Sequence, residues 1–190
     1  MNMFVYLKER TRRKKAAQAL YELAAEQALS RHFYARWQVP DTFDGRFEML
    51  ILHAFLVWRR LKDEGAAGQQ LAQDFFDALF IQIDRTLRER GIGDLGVPRH
   101  VKTMMKAFKG RALAYDVALC AGSDPLALRK ALIRNVYGTV VPPRDEVLAQ
   151  MCRYVIQCDM TLKGQRRLVF PEPQDEKEDT AKIDDAGMAA

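Results

Sequence analysis

The sequence predicts an all-α protein: one domain of about six helices, then a short extended C-terminal segment and an acidic tail. Three observations carry this. Apolar residues recur at three- and four-residue spacing from about residue 11 to residue 162, with no run of strand-like alternation. Clusters of Gly and Pro cut that pattern into helix-length pieces. The stretch 47–58, "FEMLILHAFLVW", is apolar on nearly every side, as a helix is when others cover it all round. The chain divides into three regions: a basic arm over 1–15, a helical domain over 16–171, and a disordered acidic tail over 172–190.

After the basic "KERTRRKK", residues 11–37 carry Leu20, Leu23, Ala24 and Ala28 at helical spacing, uninterrupted by Gly or Pro. "VPDTFDG" at 39–45 is a turn: Pro40 disfavours helix before it, and Asp41, Thr42 and Asp44 can cap the next helix. That second helix runs from Arg46 to Lys62 and ends at "DEGAAG". The third, about 68–90, aligns Leu71, Phe75, Leu79, Ile83 and Leu87, with Phe76 and Phe80 widening the stripe. Pro98 sits at a favoured first position for the fourth helix, whose apolar face is Val101, Met104, Met105, Phe108, Ala112 and Tyr115. Asp124 and Pro125 open a fifth helix to about Val136, and Pro143 opens a last one to about Leu162.

Composition narrows the function. The longest apolar run is 12 residues and holds Glu48 and His53, well short of the roughly 20 apolar residues a spanning helix needs. Three cysteines, with no C-x-x-C pair, suit neither a disulfide framework nor a zinc site and fit a reducing compartment. His53, inside the most apolar helix, reads as a hydrogen-bonded core imidazole; three scattered histidines offer no metal cluster. None of the H-E-x-x-H, G-x-S-x-G, EF-hand or G-K-[ST] patterns occurs, and the carboxylates fall at helix starts or on a solvated face. We therefore expect no catalytic residue, no cofactor and no metal. The formal charge of +5 is uneven: from Glu172 onward seven acids face two lysines, leaving +10 on residues 1–171. A basic body of this kind attracts phosphate, anionic lipid or acidic protein surfaces.

"GIGDLG" at 91–96 matches the G-x-G-x-x-G spacing of a dinucleotide loop. That fingerprint requires a strand leading in and a helix leading out. Here "FIQIDRTLRER" precedes it, a helix by period, so Gly91 reads as a left-handed C-cap and Gly93 and Gly96 as turn residues. Around this turn the basic residues crowd. Arg88 and Arg90 end one helix, and Arg99, Lys102, Lys106 and Lys109 share one face of the next. This basic junction is expected to meet an anionic partner. A second candidate surface is apolar: Phe47, Phe55 and Trp58 on the second helix with the adaptable Met104 and Met105. From the residues alone, a helical RNA- or ribosome-binding protein and a lipid- or small-ligand-binding domain stay open beside a protein-binding chaperone.

Three stretches carry a family resemblance: "VPDTFDGRFEMLILHAFLVWRRL" at 39–61, "DRTLRERGIGDLGVPRHVKTMMKAFKGRALAYDVAL" at 84–119, and the shorter "LVFPEP" at 168–173. Over roughly residues 20–171 the chain resembles the ubiquinol–cytochrome c chaperone family, assembly factors for cytochrome b of the respiratory bc complex (complex III). The resemblance implies a non-catalytic, all-helical protein that holds newly made cytochrome b, near the ribosome or an anionic membrane surface, with no role in DNA binding. The short length and the lack of an obvious presequence lead us to expect a bacterial homologue, which the resemblance would place at the cytoplasmic face of the inner membrane, or at the matrix side for a mitochondrial member.

Overall fold

The most apolar stretch of the chain becomes the axis around which the other helices pack. The structure is a computed structural model and describes residues 3–120 and 125–175. Its helices are α1 (Met3–Ala28), α2 (Arg31–Ala35), α3 (Phe43–Lys62), α4 (Gly65–Glu89), α5 (Val97–Leu119), α6 (Pro125–Asn135) and α7 (Asp145–Gly164). Among the described residues there is no strand. Since α2 is little more than one turn, six full helices form the body, as the sequence predicts.

α3 starts where Thr42 caps it: the threonine hydroxyl accepts a hydrogen bond from the Gly45 amide at 3.1 Å. Asp44 lies in its first turn and Arg59, Arg60 and Lys62 in its last, each sign suited to the helix dipole. Ile51 through Val57 are all buried, so covering every face takes α1, α4, α5 and α7. Paired residues give the directions. Ala28 and Leu29 lie beside Phe43 and Phe47, and Ala16 and Ala19 beside Arg60 and Leu61, so α1 runs antiparallel to α3. His53 meets Tyr154 and Arg60 meets the Leu162 carbonyl, so α3 and α7 run parallel. Gly68 allows α4 to fold tightly back from α3: a Cβ there would stand 2.2 Å from the Leu61 carbonyl oxygen.

Three polar ties fix the helices against α3. In the first, His53 Nδ1 lies 2.7 Å from the Met49 carbonyl, which can only accept, so this nitrogen carries the proton. Nε2 then accepts from the Tyr154 hydroxyl at 2.8 Å, and the Tyr154 oxygen in turn accepts from Gln27 at 2.9 Å. Gln27 also donates to the Pro171 carbonyl, pinning the C-terminal segment, while Phe170 packs edge-on against the imidazole at 5.0 Å. The second tie is a two-pronged pair between Arg111 of α5 and Glu48, whose carboxyl is raised above its usual range because burial outweighs the guanidinium. In the third, Arg59 bridges Asp116 of α5 and Asp159 of α7, and Lys163 bonds Asp159 at 2.7 Å.

The structure corrects the sequence reading in several places. The helix expected over 11–37 breaks at Leu29–Ser30, because only a turn there brings Phe33 and Trp37 into the core against His53 and Tyr154. From Met3 onward the basic arm is already helical, continuous with α1. The last helix starts at Asp145; Pro143 instead buries its ring just ahead of it. The acidic tail is held as far as Asp175, whose carboxylate accepts from the Trp37 indole at 3.0 Å and lies 3.1 Å from His32 Nε2. Asp124, the expected cap of the fifth helix, and residues 176–190 lie outside the described residues.

The His53 site has a pH consequence. Burial lowers its pKa from 6.5 to about 4, against a smaller opposing effect of the Met49 hydrogen bond. The unfolded chain takes up this proton near pH 6.5, while the fold refuses it until about pH 4. Stability is therefore full above pH 6.5, falls as the pH drops from 6.5 to 4, and loses nothing more below that. At pH 5 the expected loss is about 2 kcal/mol relative to pH 7.5. Urea unfolding of the wild type and His53→Gln at both pH values checks this: the variant is weaker at pH 7.5 but lacks that part of the acid loss. An identical acid loss in both would contradict it.

Candidate apolar binding groove

Where α3, α4 and α5 diverge, Trp58, Phe76 and Phe80 are only partly covered, and the buried Phe108 packs beneath them. Trp58 of α3 meets Phe76 of α4 edge-on at 6.1 Å, Phe76 stacks with Phe80 at 6.3 Å, and Phe108 of α5 closes edge-on against Phe76 at 4.9 Å. These rings floor a groove of about 500 Å³. Met105 and Leu113 of α5 stand on its wall, 41% and 66% exposed. The rim is mixed in charge: Lys62 and Lys109 face Asp77 and Asp116. The Lys62 ammonium sits 4.6 Å from the Trp58 ring, a cation–π contact at the groove mouth. Asp116 is fixed by Arg59, so one rim carboxylate is held by the same network that ties α5 to α3.

A smaller cleft of about 170 Å³ opens near the other end of α3, between α1, α4 and α5. Phe43, Phe47, Leu50 and Met104 line it with Leu29 and Arg46. The sequence-derived apolar set is thus divided. Trp58 and Met105 share the larger groove, and Phe47 and Met104 the smaller cleft. Phe55 is fully buried against Tyr115 at 5.6 Å and is a core residue, not a contact surface.

The glycine turn between α4 and α5 has the geometry of a helix stop. Gly91 adopts φ +82°, its amide bonds the Arg88 carbonyl at 2.9 Å, and the Ile92 amide bonds the Leu87 carbonyl at 3.1 Å. This is the paired bonding of a Schellman cap, which favours a residue without a Cβ at that position. Gly93 and Gly96 bond one another across the rest of the turn. Of the basic residues, Arg88 is held by Asp84 and Asp94, and Arg90 lies 4.1 Å over the Phe43 ring. Both help to fasten the turn, and both remain exposed. Arg99, Lys102, Lys106 and Lys109 stay exposed on α5, with Lys109 at the groove rim.

Beyond Trp58, Met105 and Lys109, sequence reasoning does not single out the groove residues as a binding surface. Phe76 and Phe80 carry a visible sign, since they widen the α4 stripe beyond what one core-facing side requires. Leu113, apolar yet off the buried face of α5, carries another. Among the described residues no cluster of three or more His, Cys, Asp or Glu is placed to hold a metal ion, and no helix is long and apolar enough to cross a membrane.

Comparison with known proteins places these residues in context. Residues 35–170, which include the whole groove, match the family model described as Ubiquinol-cytochrome C chaperone. The crystal structure of the Cbp3 homolog from Brucella abortus is similar in fold, with a TM-score of 0.77 and 35% identity over 90% of this chain and 97% of that one. The Xenopus laevis protein called ubiquinol-cytochrome-c reductase complex assembly factor 1 is 26% identical over 159 residues, 83% of this chain and 78% of its own length. The Mus musculus counterpart matches at the same identity, but the chain spans only 53% of its length.

The groove predicts a measurable surface property. An environment-sensitive anilinonaphthalene dye gains fluorescence on the native protein; with the exposed start of α1 made polar by Phe4→Ser and Leu7→Ser, Met105→Glu with Leu113→Glu lowers the remaining signal by more than half. Because both side chains are exposed, unfolding free energy should change by less than about 1 kcal/mol. Dye binding that survives the double substitution would locate the exposed apolar surface elsewhere.

Proposed function

We propose that this chain, which belongs to the Ubiquinol-cytochrome C chaperone family, acts without catalysis to receive newly made cytochrome b and keep it competent to enter the bc complex. The observation that carries this is the α3–α4–α5 groove: open, floored by four aromatic rings, walled by Met105 and Leu113, and lying wholly within residues 35–170. A helix that has not yet found its neighbours presents a stripe of apolar side chains, and a groove of this kind accepts such a stripe. Methionine at the wall suits a client with several different helices, because its side chain adapts to varied shapes.

The mixed rim supports the same reading. Lys62 and Lys109 match acidic residues at the ends of a client helix, and Asp77 and Asp116 match basic ones. Exposed Arg99, Lys102 and Lys106, continuing along α5 from the groove, are suited to the client's polar loops, to ribosomal RNA, or to a membrane surface beside the client. Relatives named as complex assembly factors support a binding role over a catalytic one.

A photo-crosslinking amino acid at Leu113 tests the proposal in translating cells. Nascent cytochrome b should be the main product, and Met105→Glu with Trp58→Ala should lower its yield about tenfold. Recovery of RNA alone, or of cytochrome b equally from a crosslinker at Arg134 on α6, contradicts the groove. Charge reversal of Lys102 and Lys106 should weaken capture about threefold to tenfold and make it less sensitive to salt.

A further inference from the structure

A run of consecutive exposed apolar residues lies outside the groove. Met3, Phe4, Val5, Tyr6 and Leu7, at the start of α1, are 49–80% exposed. Five consecutive helical residues step through more than a full turn, so this tip is apolar all the way round. Exposed cations follow at Lys8, Arg10, Arg12, Lys14 and Lys15, with Glu9 the one acid among them. Apolar and charged residues are thus separated along the helix axis, not across it. A helix lying flat on a surface needs the opposite arrangement.

The helix directions show what else shares this end of the molecule. Arg13 of α1 meets Asp74 and Gln70 of α4, and Tyr21 and Ala25 meet Gln82 and Ile83, so α1 and α4 run parallel. The start of α1 therefore lies at the end where α3 and α7 finish and α4 begins. Arg166 and Arg167, just past α7, are exposed there and border Ala16 and Leu20 of α1. Lys62 belongs to the same end. Asp63 and Glu64 share this end, Glu64 paired with Arg60, so cations outnumber acids around the apolar tip, far from the glycine turn at the opposite end.

We infer that the start of α1 docks end-on into an anionic bilayer surface, Met3–Leu7 entering the interface and the following cations meeting the headgroups. The dimensions agree: five helical residues rise about 6–8 Å, and interfacial helices bury their apolar part about 5–10 Å deep. The charge agrees as well, since each Lys or Arg near an anionic leaflet contributes about 1 kcal/mol. Single-stranded RNA would also attract the cations, but it offers the aliphatic Met3, Val5 and Leu7 nothing to enter. This element lies outside the residues that match the family model. It rests on the assembly-chaperone reading only for its setting; binding to the lipid does not require the client groove.

Flotation of the full chain with vesicles of neutral phosphatidylcholine, or of phosphatidylcholine with about 30% phosphatidylglycerol to supply the anionic surface, tests the inference. Binding to the anionic vesicles should exceed binding to the neutral ones at least tenfold and weaken with salt. Phe4→Ser with Leu7→Ser should reduce it at least tenfold, and Lys14→Glu with Lys15→Glu by at least about 25-fold, since loss of each cation alone costs about fivefold. All four positions are exposed, so thermal unfolding and Leu113 crosslinking to the client should stay as in the wild type. Equal binding to both vesicle types, unaltered flotation of the Ser variant, or binding to RNA but not vesicles overturns the docking element. Loss of client crosslinking with flotation intact would instead overturn the groove and leave the docking element standing.

Discussion

A helix with no polar side must be covered on every side, and α3 is such a helix. Seven consecutive buried residues, Ile51–Val57, leave no face of it for water. The arrangement of α1, α4, α5 and α7 answers that demand, and the apolar area involved makes it the largest favourable contribution to the fold. Hydrophobic contact alone does not say how far one helix slides along another. The buried polar groups do: His53 with Tyr154 and Gln27, Glu48 with Arg111, and Arg59 with Asp116 and Asp159 each bond only in one alignment. Removing one partner of such a set leaves a buried group unsatisfied, which costs more than the bond itself contributes.

The groove is the place where this covering is incomplete. α4 and α5 leave Trp58 half-covered because Phe76, Phe80 and Phe108 hold them apart, and the rings that separate the helices also form the floor. A monomer gains nothing in stability by exposing Met105 and Leu113, so their presence on the groove wall suits a surface kept for another molecule. The ion pairs beside it add rigidity. Arg59 holds Asp116 to the body, and the Schellman cap at Gly91 with Arg90 over Phe43 fixes how α5 leaves α4. A preformed apolar surface on rigid helices binds without first ordering itself, which conserves affinity for any helix that docks there.

Much of this is legible in residue order, and the remainder depends on distance in space. The all-round apolarity of 47–58, the stripe of α4, the glycine stop at Gly91 and the proline start at Pro98 are local signals, and each helix they mark is present. His53 reads as a bonded core imidazole from its position alone, but its partner Tyr154 lies 101 residues away and carries no sign of the pairing. The break at Leu29–Ser30 has no Gly or Pro to announce it, because the need to bury Phe33 and Trp37 decides it. The groove is half legible. Trp58 and Met105 stand out by type, whereas Phe55, equally aromatic, is core because it points to Tyr115. Only the placement of α5 against α4 separates those cases.

The central claim is that the α3–α4–α5 groove is the client-binding surface, and methionine-methyl NMR tests it most directly. The chain has eight methionines, and they sample its surfaces: Met105 the groove, Met104 the smaller cleft, Met3 the start of α1, Met160 the exposed side of α7, and Met49 and Met151 the core. On titration with a peptide spanning one cytochrome b transmembrane helix in mild detergent, corrected for detergent alone, the account predicts the largest shift at Met105 and little change at Met160 and Met49. A largest shift at Met160 or Met3, with Met105 unmoved, would contradict it.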